Sequence, residues 1–181
     1  MSENDVLMPI HRAIKQGDLP EVTRLIAGDK SRLCMWTPFG TWLHDAASHG
    51  RLDIVRWLLS QGMDINAYND RNERTPVCDA AAEGHVDIVK SLIESGATLD
   101  VSDSVRNPLL AAIVGGLSDS HTVVARVLIE SGIDTTIRYP NLDNMDAMEY
   151  AREWGRSDIV KLLKAKQRGR KVKKLGRREN S

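Results

Sequence analysis

The segment from Thr41 to Ile65 returns 34 positions later, from Thr75 to Leu99, and this self-similarity constrains the fold more than any other feature. Thr41-Trp42-Leu43-His44-Asp45-Ala46-Ala47-Ser48-His49-Gly50 aligns with Thr75-Pro76-Val77-Cys78-Asp79-Ala80-Ala81-Ala82-Glu83-Gly84. Arg51-Leu52-Asp53-Ile54-Val55 then matches His85-Val86-Asp87-Ile88-Val89. Three looser copies follow the same order. One runs from Pro9-Ile10-His11 through Gly17 to Leu25-Ile26, one from Asn107-Pro108-Leu109 to Ser131-Gly132, and one from Ala147-Met148 through Gly155 to Leu162-Leu163. A unit this short cannot bury its apolar faces alone, so neighbouring units must stack into one elongated core.

Each recurring residue type has a physical task. Thr41 and Thr75 are placed to cap a first helix. Pro76 and Pro108 fall where a helical N–H has no partner in any case. The pairs Ala46-Ala47 and Ala80-Ala81 let adjacent inner helices approach closely, and Gly50, Gly84 and Gly155 end those helices. Ile54-Val55 with Leu58-Leu59 forms the apolar stripe of an outer helix, which Gly62 ends, as Gly96 and Gly132 end its counterparts.

The pattern resembles the ankyrin repeat over nearly all of Met8–Leu163. The resemblance implies an all-α solenoid of paired antiparallel helices joined by short hairpin loops. The expected units lie near 8–33, 39–66, 73–100, 106–136 and 145–163, with a basic tail over 164–181. Departures from the pattern are local. Gly116-Leu117-Ser118-Asp119-Ser120-His121 lengthens the turn in the fourth unit, and Gly28 to Phe39 lacks the standard turn. Cys78, Leu110 and Glu149 stand where a His is usual. The resemblance also implies a non-enzymatic scaffold that binds another protein with its concave side, made of hairpin tips and exposed inner-helix positions. Carried over position by position, the partner-binding candidates are Trp36, Asp45, His49, Arg71, Asn72, Arg74, Asp79, Glu83, Asp103, Arg106, Tyr150 and Trp154. Trp and Tyr bury much area and keep a polar handle, so Trp36, Tyr150 and Trp154 lead. The competing reading packs Trp36 into the irregular first junction and Trp154 against its own turn, while Trp42 and Trp57 read as packing residues. The Phe39–His44 and Asn107–Ile113 segments further resemble small bacterial ankyrin proteins associated with toxins, which implies an immunity-type inhibitor covering a toxin's active site.

Catalytic chemistry finds no foothold in the sequence. His11 and His44 take the motif position that bonds neighbouring hairpin backbone, and His85 and His121 take a second structural position, which leaves His49 unassigned. His44 and His49 are five apart and do not share a helix face, so the paired metal-binding histidines of a zinc helix are missing. Gly115-Gly116 alone is a turn signal. The expectation is no enzyme, no cofactor and no metal. Two cysteines, Cys34 and Cys78, are too few for a disulfide framework, and the N-terminus lacks a signal pattern. A cytoplasmic monomer is expected, with no membrane span.

Net charge is zero only by cancellation. Met1–Leu163 carries 16 Lys and Arg against 24 Asp and Glu, while Lys164–Ser181 carries nine against one. The acidic body suits a basic protein partner such as a toxin, or merely keeps a solenoid soluble. The tail is expected to be disordered beyond Gly169, and it reads as a nuclear-import or polyanion-binding segment of an adaptor, or else as a solvated end or one folded back on the acidic body. Its lack of aromatics argues against stacking on bases, so nucleic acid is expected only as a weak partner of the tail.

Overall fold

The computed structural model describes residues 3–71 and 73–176, with side chains for 5–71 and 73–169. Ten α-helices and no strand are present among them. They are α1 (Glu3–Gln16), α2 (Leu19–Ala27), α3 (Trp42–Ser48), α4 (Leu52–Ser60), α5 (Pro76–Ala82), α6 (Val86–Glu94), α7 (Pro108–Gly115), α8 (Asp119–Glu130), α9 (Ala147–Glu153) and α10 (Ser157–Gly176). Odd-numbered helices stack on one another as an inner row, and even-numbered helices stack as an outer row. The chain is thus an all-α repeat solenoid.

The helix starts follow the sequence chemistry only in part: Thr41 closes a capping box with His44, but Thr75 caps nothing with its side chain, its hydroxyl donating to the Cys78 sulfur at 3.4 Å. Asn107 accepts the Leu109 and Leu110 N–H groups at 2.8 and 3.3 Å. Asp146 accepts those of Met148 and Glu149, and Glu149 returns the bond to the Asp146 N–H, closing a capping box. The inner helices α3, α5 and α9 end before Gly50, Gly84 and Gly155, whose φ values of 73°, 74° and 66° are open to glycine at no steric cost. The end of α7 differs: Gly116 is extended, and another residue caps that helix.

Two ladders of side-chain bonds lock unit to unit. In the first, His44 Nε2 donates to the Arg74 carbonyl at 3.0 Å, and its Nδ1 accepts the Thr41 N–H at 3.2 Å. Burial holds the His44 pKa below its ordinary value, consistent with this neutral ring. Cys78 fills the same slot one unit on, its thiol donating to the Arg106 carbonyl at 2.8 Å. Burial pushes that thiol up to about 11, so it is unreactive as a nucleophile. In the second ladder, His85 and His121 donate to the Ser48 and Ala82 carbonyls at 3.0 and 2.9 Å. Arg51 donates in the same way to Lys15, and Arg156 takes the role in the last unit.

Three expectations change. The irregular first junction contains a 3₁₀ turn, Lys30–Cys34, and is filled by Trp42, fully buried with Nε1 donating to the Arg32 carbonyl at 2.7 Å. Trp36 is not the plug. His11 does not bond hairpin backbone, because its ring nitrogen meets a carboxylate, a stronger acceptor than a carbonyl. Finally, α10 runs without a break past Leu163 and Gly169 to Gly176, where disorder is expected from composition. Its start is tied to the body through Lys166, which donates to the Ile133 carbonyl at 2.8 Å, and cations suit the negative end of a helix. Residues 177–181 of the tail lie outside the described residues.

Candidate functional site

The inner helices and the loops leading into them form one continuous face, and the candidates fall on it in three groups. The first centres on α3. The Asp45 side chain is wholly buried, so it is not a contact residue offered to a partner. Side chains of the first junction and of its own helix close over it. His11 Nδ1 lies 2.8 Å from one Asp45 oxygen and His49 Nδ1 3.1 Å from the other. Phe39 stacks on His11 with centroids 5.7 Å apart, and His49 meets the same ring edge-on. Burial pushes the Asp45 carboxyl upward, opposed by its hydrogen bond to His11 and by the charges of the two rings. This cluster joins the first unit to the second. Beside it Leu7, Met8, Pro38 and Phe39 line an apolar groove of about 280 Å³.

The second group surrounds a hollow of about 140 Å³ between the second and third units, lined by Phe39, Ser48, Asn69, Arg71 and Asp79. Burial pushes the Asp79 carboxyl up to about 7, with Arg74 and a bond from Asn69 pulling it down and Glu83 pushing further up. Arg71, which lines it, and Glu83, whose charge acts on Asp79, are both exposed. Trp36 projects from the neighbouring loop, 41% exposed, with Nε1 donating to the Asp70 carboxylate. Asn72 lies outside the described residues.

Asp79 titrates at an experimentally useful place. Its carboxyl holds a proton in the folded state up to about pH 7, while the unfolded chain releases it near pH 4. The folded state therefore binds more protons between these values, and stability falls as pH rises through that window. Asp79→Asn removes the charge that must be buried. The variant should exceed the wild type by about 2 kcal/mol at pH 8, a figure discounted for partial exposure, and match it near pH 4. Urea denaturation at both pH values measures this; equal stability at pH 8 would show that Asp79 ionises freely.

The third group spans the fourth and fifth units. Arg106 pairs with Glu73 and lies over the Tyr68 ring at 4.8 Å, while the Tyr68 hydroxyl donates to Asp100 at 2.8 Å. Asp103 is turned to its own loop, accepting the Val105 N–H at 2.7 Å. A third hollow, about 230 Å³, is lined by Arg74, Leu110, Val114, Leu142 and Tyr150 among others. Tyr150 is half-buried, and Trp154 lies 6.1 Å from it with half its surface exposed. Sequence reasoning passed over Phe39 (49% exposed), Met8 and Tyr68. Phe39 carries a readable signal, since it is the one Phe of the chain and stands at the loop register that Glu73 takes in the next unit.

Among the described residues, no group of three or more His, Cys, Asp or Glu is placed to hold a metal, and no helix is long and apolar enough to cross a membrane. The face offers aromatic rims and charges of both signs, with Arg106 and Arg138 paired to Glu73 and Glu149.

The family model described as ankyrin repeats (3 copies) matches residues 10–103. Palmitoyltransferase AKR1 of Naumovozyma castellii is 40% identical over 67 residues, which is 35% of this chain and 9% of that protein. Transient receptor potential cation channel subfamily A member 1 of Drosophila melanogaster is 29% identical over 165 residues, 84% of this chain and 13% of that one. The chain spans about a tenth of the length of either relative, and neither is an immunity protein.

Proposed function

Since this chain belongs to the ankyrin-repeat family of protein-interaction scaffolds, we propose that it grips one dedicated protein partner in the cytoplasm with the face made by its inner helices and hairpin loops. One observation carries this reading. Trp36, Phe39 and Trp154 stand 41%, 49% and 50% exposed; Phe39 lines the apolar groove beside α1, and Trp154 lies against Tyr150, which lines the third hollow. Large aromatic groups left in water are costly unless something covers them, and they are the residue types that dominate interface energies. The narrower version, an immunity-type inhibitor seated on a toxin, is supported by the resemblance of the Phe39–His44 and Asn107–Ile113 segments. The mixed charge of the face gives that version no preference for a basic partner.

The test is affinity capture from native extract with the intact protein beside a Trp36→Ala/Trp154→Ala variant, both first shown to melt alike. One stoichiometric protein retained by the intact chain and lost at least tenfold by the variant supports the reading. Retention of that protein by both forms moves the interface elsewhere. If the captured protein is a toxin, co-expression that rescues cells establishes the inhibitor version.

A further inference from the structure

The continuation of α10 past the last unit gives the basic segment a shape, and the shape narrows what it can bind. We propose that α10 beyond Leu163 is a docking element for the phosphate backbone of duplex DNA, separate from the protein-binding face. From Lys161 to Arg178 the sequence holds ten Lys and Arg and no acid. The helix carries this run as far as Gly176.

At about 100° per residue, the register positions of Lys164, Arg168, Arg170, Lys171, Lys173 and Lys174 cover roughly two-thirds of the helix circumference. The remaining third holds Leu162, Ala165, Gly169, Val172 and Gly176, and its beginning is turned to the solenoid, where Leu162, Ala165 and Lys166 line a hollow with Ile129 of α8. A flat partner, whether an anionic membrane or an acidic protein patch, engages one side of a helix. A groove with phosphates on both walls engages an arc this wide. The duplex major groove, about 12 Å across, admits a helix of this diameter. The membrane alternative lacks its own requirement, since Ala165, Val172 and Leu175 are the apolar residues past Leu163 and none is aromatic. The absence of aromatics speaks against stacking on single strands, not against phosphate contact, which needs cations alone.

The helix is also electrostatically incomplete by itself. Lys164 and Arg168 are a like-charge pair four residues apart, which repels along a helix face. A polyanion relieves that repulsion. The acidic body, with 24 carboxylates against 16 cations, pushes DNA away from every other surface, so the contact stays confined to α10.

Titration of the full chain with a random-sequence duplex of about 20 base pairs tests this, alongside phosphatidylserine-rich vesicles and polyglutamate. Binding in the micromolar range at low salt is expected, with log K falling against log salt at a slope of about −5. Lys164→Gln/Arg168→Gln should make the slope shallower by about 2. The Trp36→Ala/Trp154→Ala variant should bind DNA as the wild type does, which keeps this outcome independent of the protein-binding reading. No binding to the duplex at low salt overturns the proposal. So do equal or tighter binding to vesicles or polyglutamate, an unchanged slope in the Gln variant, and loss of DNA binding in the Trp variant.

Discussion

Gly115→Ala will destabilise the protein by about 3 kcal/mol or more, although helix propensity alone favours the change by about 1. Gly115 is the last residue of α7, and a Cβ built on it overlaps the Ala82 carbonyl oxygen and falls 2.7 Å from its carbon. Those atoms are backbone at the end of α5, so no rotamer change makes room. The two helices must separate, and α5 and α7 pack directly on each other, with the buried small residues Ala80, Ala81, Ala111 and Ala112 among them. In a solenoid, stability is a sum of units and nearest-neighbour interfaces, so a wedge here divides the first three units from the last two. A melting temperature lowered by about 6–12 °C is expected, with a transition split or broadened as the halves lose coupling. Gly28→Ala supplies the control: its φ is −67° and nothing lies within 4 Å of the added carbon, so it should be neutral or slightly stabilising. Equal behaviour of the two variants would mean that the close approach at Gly115 does not exist.

The contrast between Gly115 and Gly50 shows what a sequence displays and what it withholds. Gly50 sits at a periodic position whose task is local, a left-handed helix end, and local tasks repeat visibly from unit to unit. Thr41, Pro76, Pro108 and the alanine pairs are legible for the same reason. Gly115 reads as half of a turn signal because its task is set by a residue 33 positions away. The candidate site divides along the same line. Trp36 and Trp154 are legible as large aromatics off the apolar stripe. Asp45 and Asp79 share one register and one residue type, yet one carboxylate is sealed and the other lines a hollow. The difference comes from what the first unit brings: His11 and Phe39 close over Asp45, and no equivalent pair covers Asp79. A repeat motif fixes where a side chain starts; its neighbours in the adjoining unit decide where it ends.

Arg156→Met carries the other large effect, a loss of about 3–5 kcal/mol concentrated in the last two units. The insertion after Gly116 deprives α7 of the left-handed glycine that ends α3, α5 and α9, leaving its final carbonyls exposed to a buried interface. Arg156, 1% exposed, reaches across from the fifth unit and supplies the cap. One guanidinium nitrogen donates to the Ala112 and Ile113 carbonyls at 3.3 and 3.2 Å and to that of Gly116. The other donates to Thr122 at 3.2 Å and pairs with Asp158 at 2.9 Å, holding that carboxyl well below the usual carboxylate range. Met keeps the bulk of the stem, so the loss measures the polar contacts rather than a cavity. It leaves the Ala112, Ile113 and Gly116 carbonyls without the guanidinium and Asp158 without its cation. Arg156→Lys should recover only part, because a point charge on a flexible stem cannot serve several acceptors in a fork. Because Asp158 has its pKa depressed in the folded state, its share of the stability is present above the ordinary carboxylate range and fades as pH falls below it. Amide hydrogen exchange is the decisive readout. Protection should collapse in α9 and α10 of Arg156→Met while α3 and α5 keep theirs. Uniform loss across all units would show that the cap stabilises the whole solenoid as one cooperative body, and no loss anywhere would show that α7 ends without Arg156.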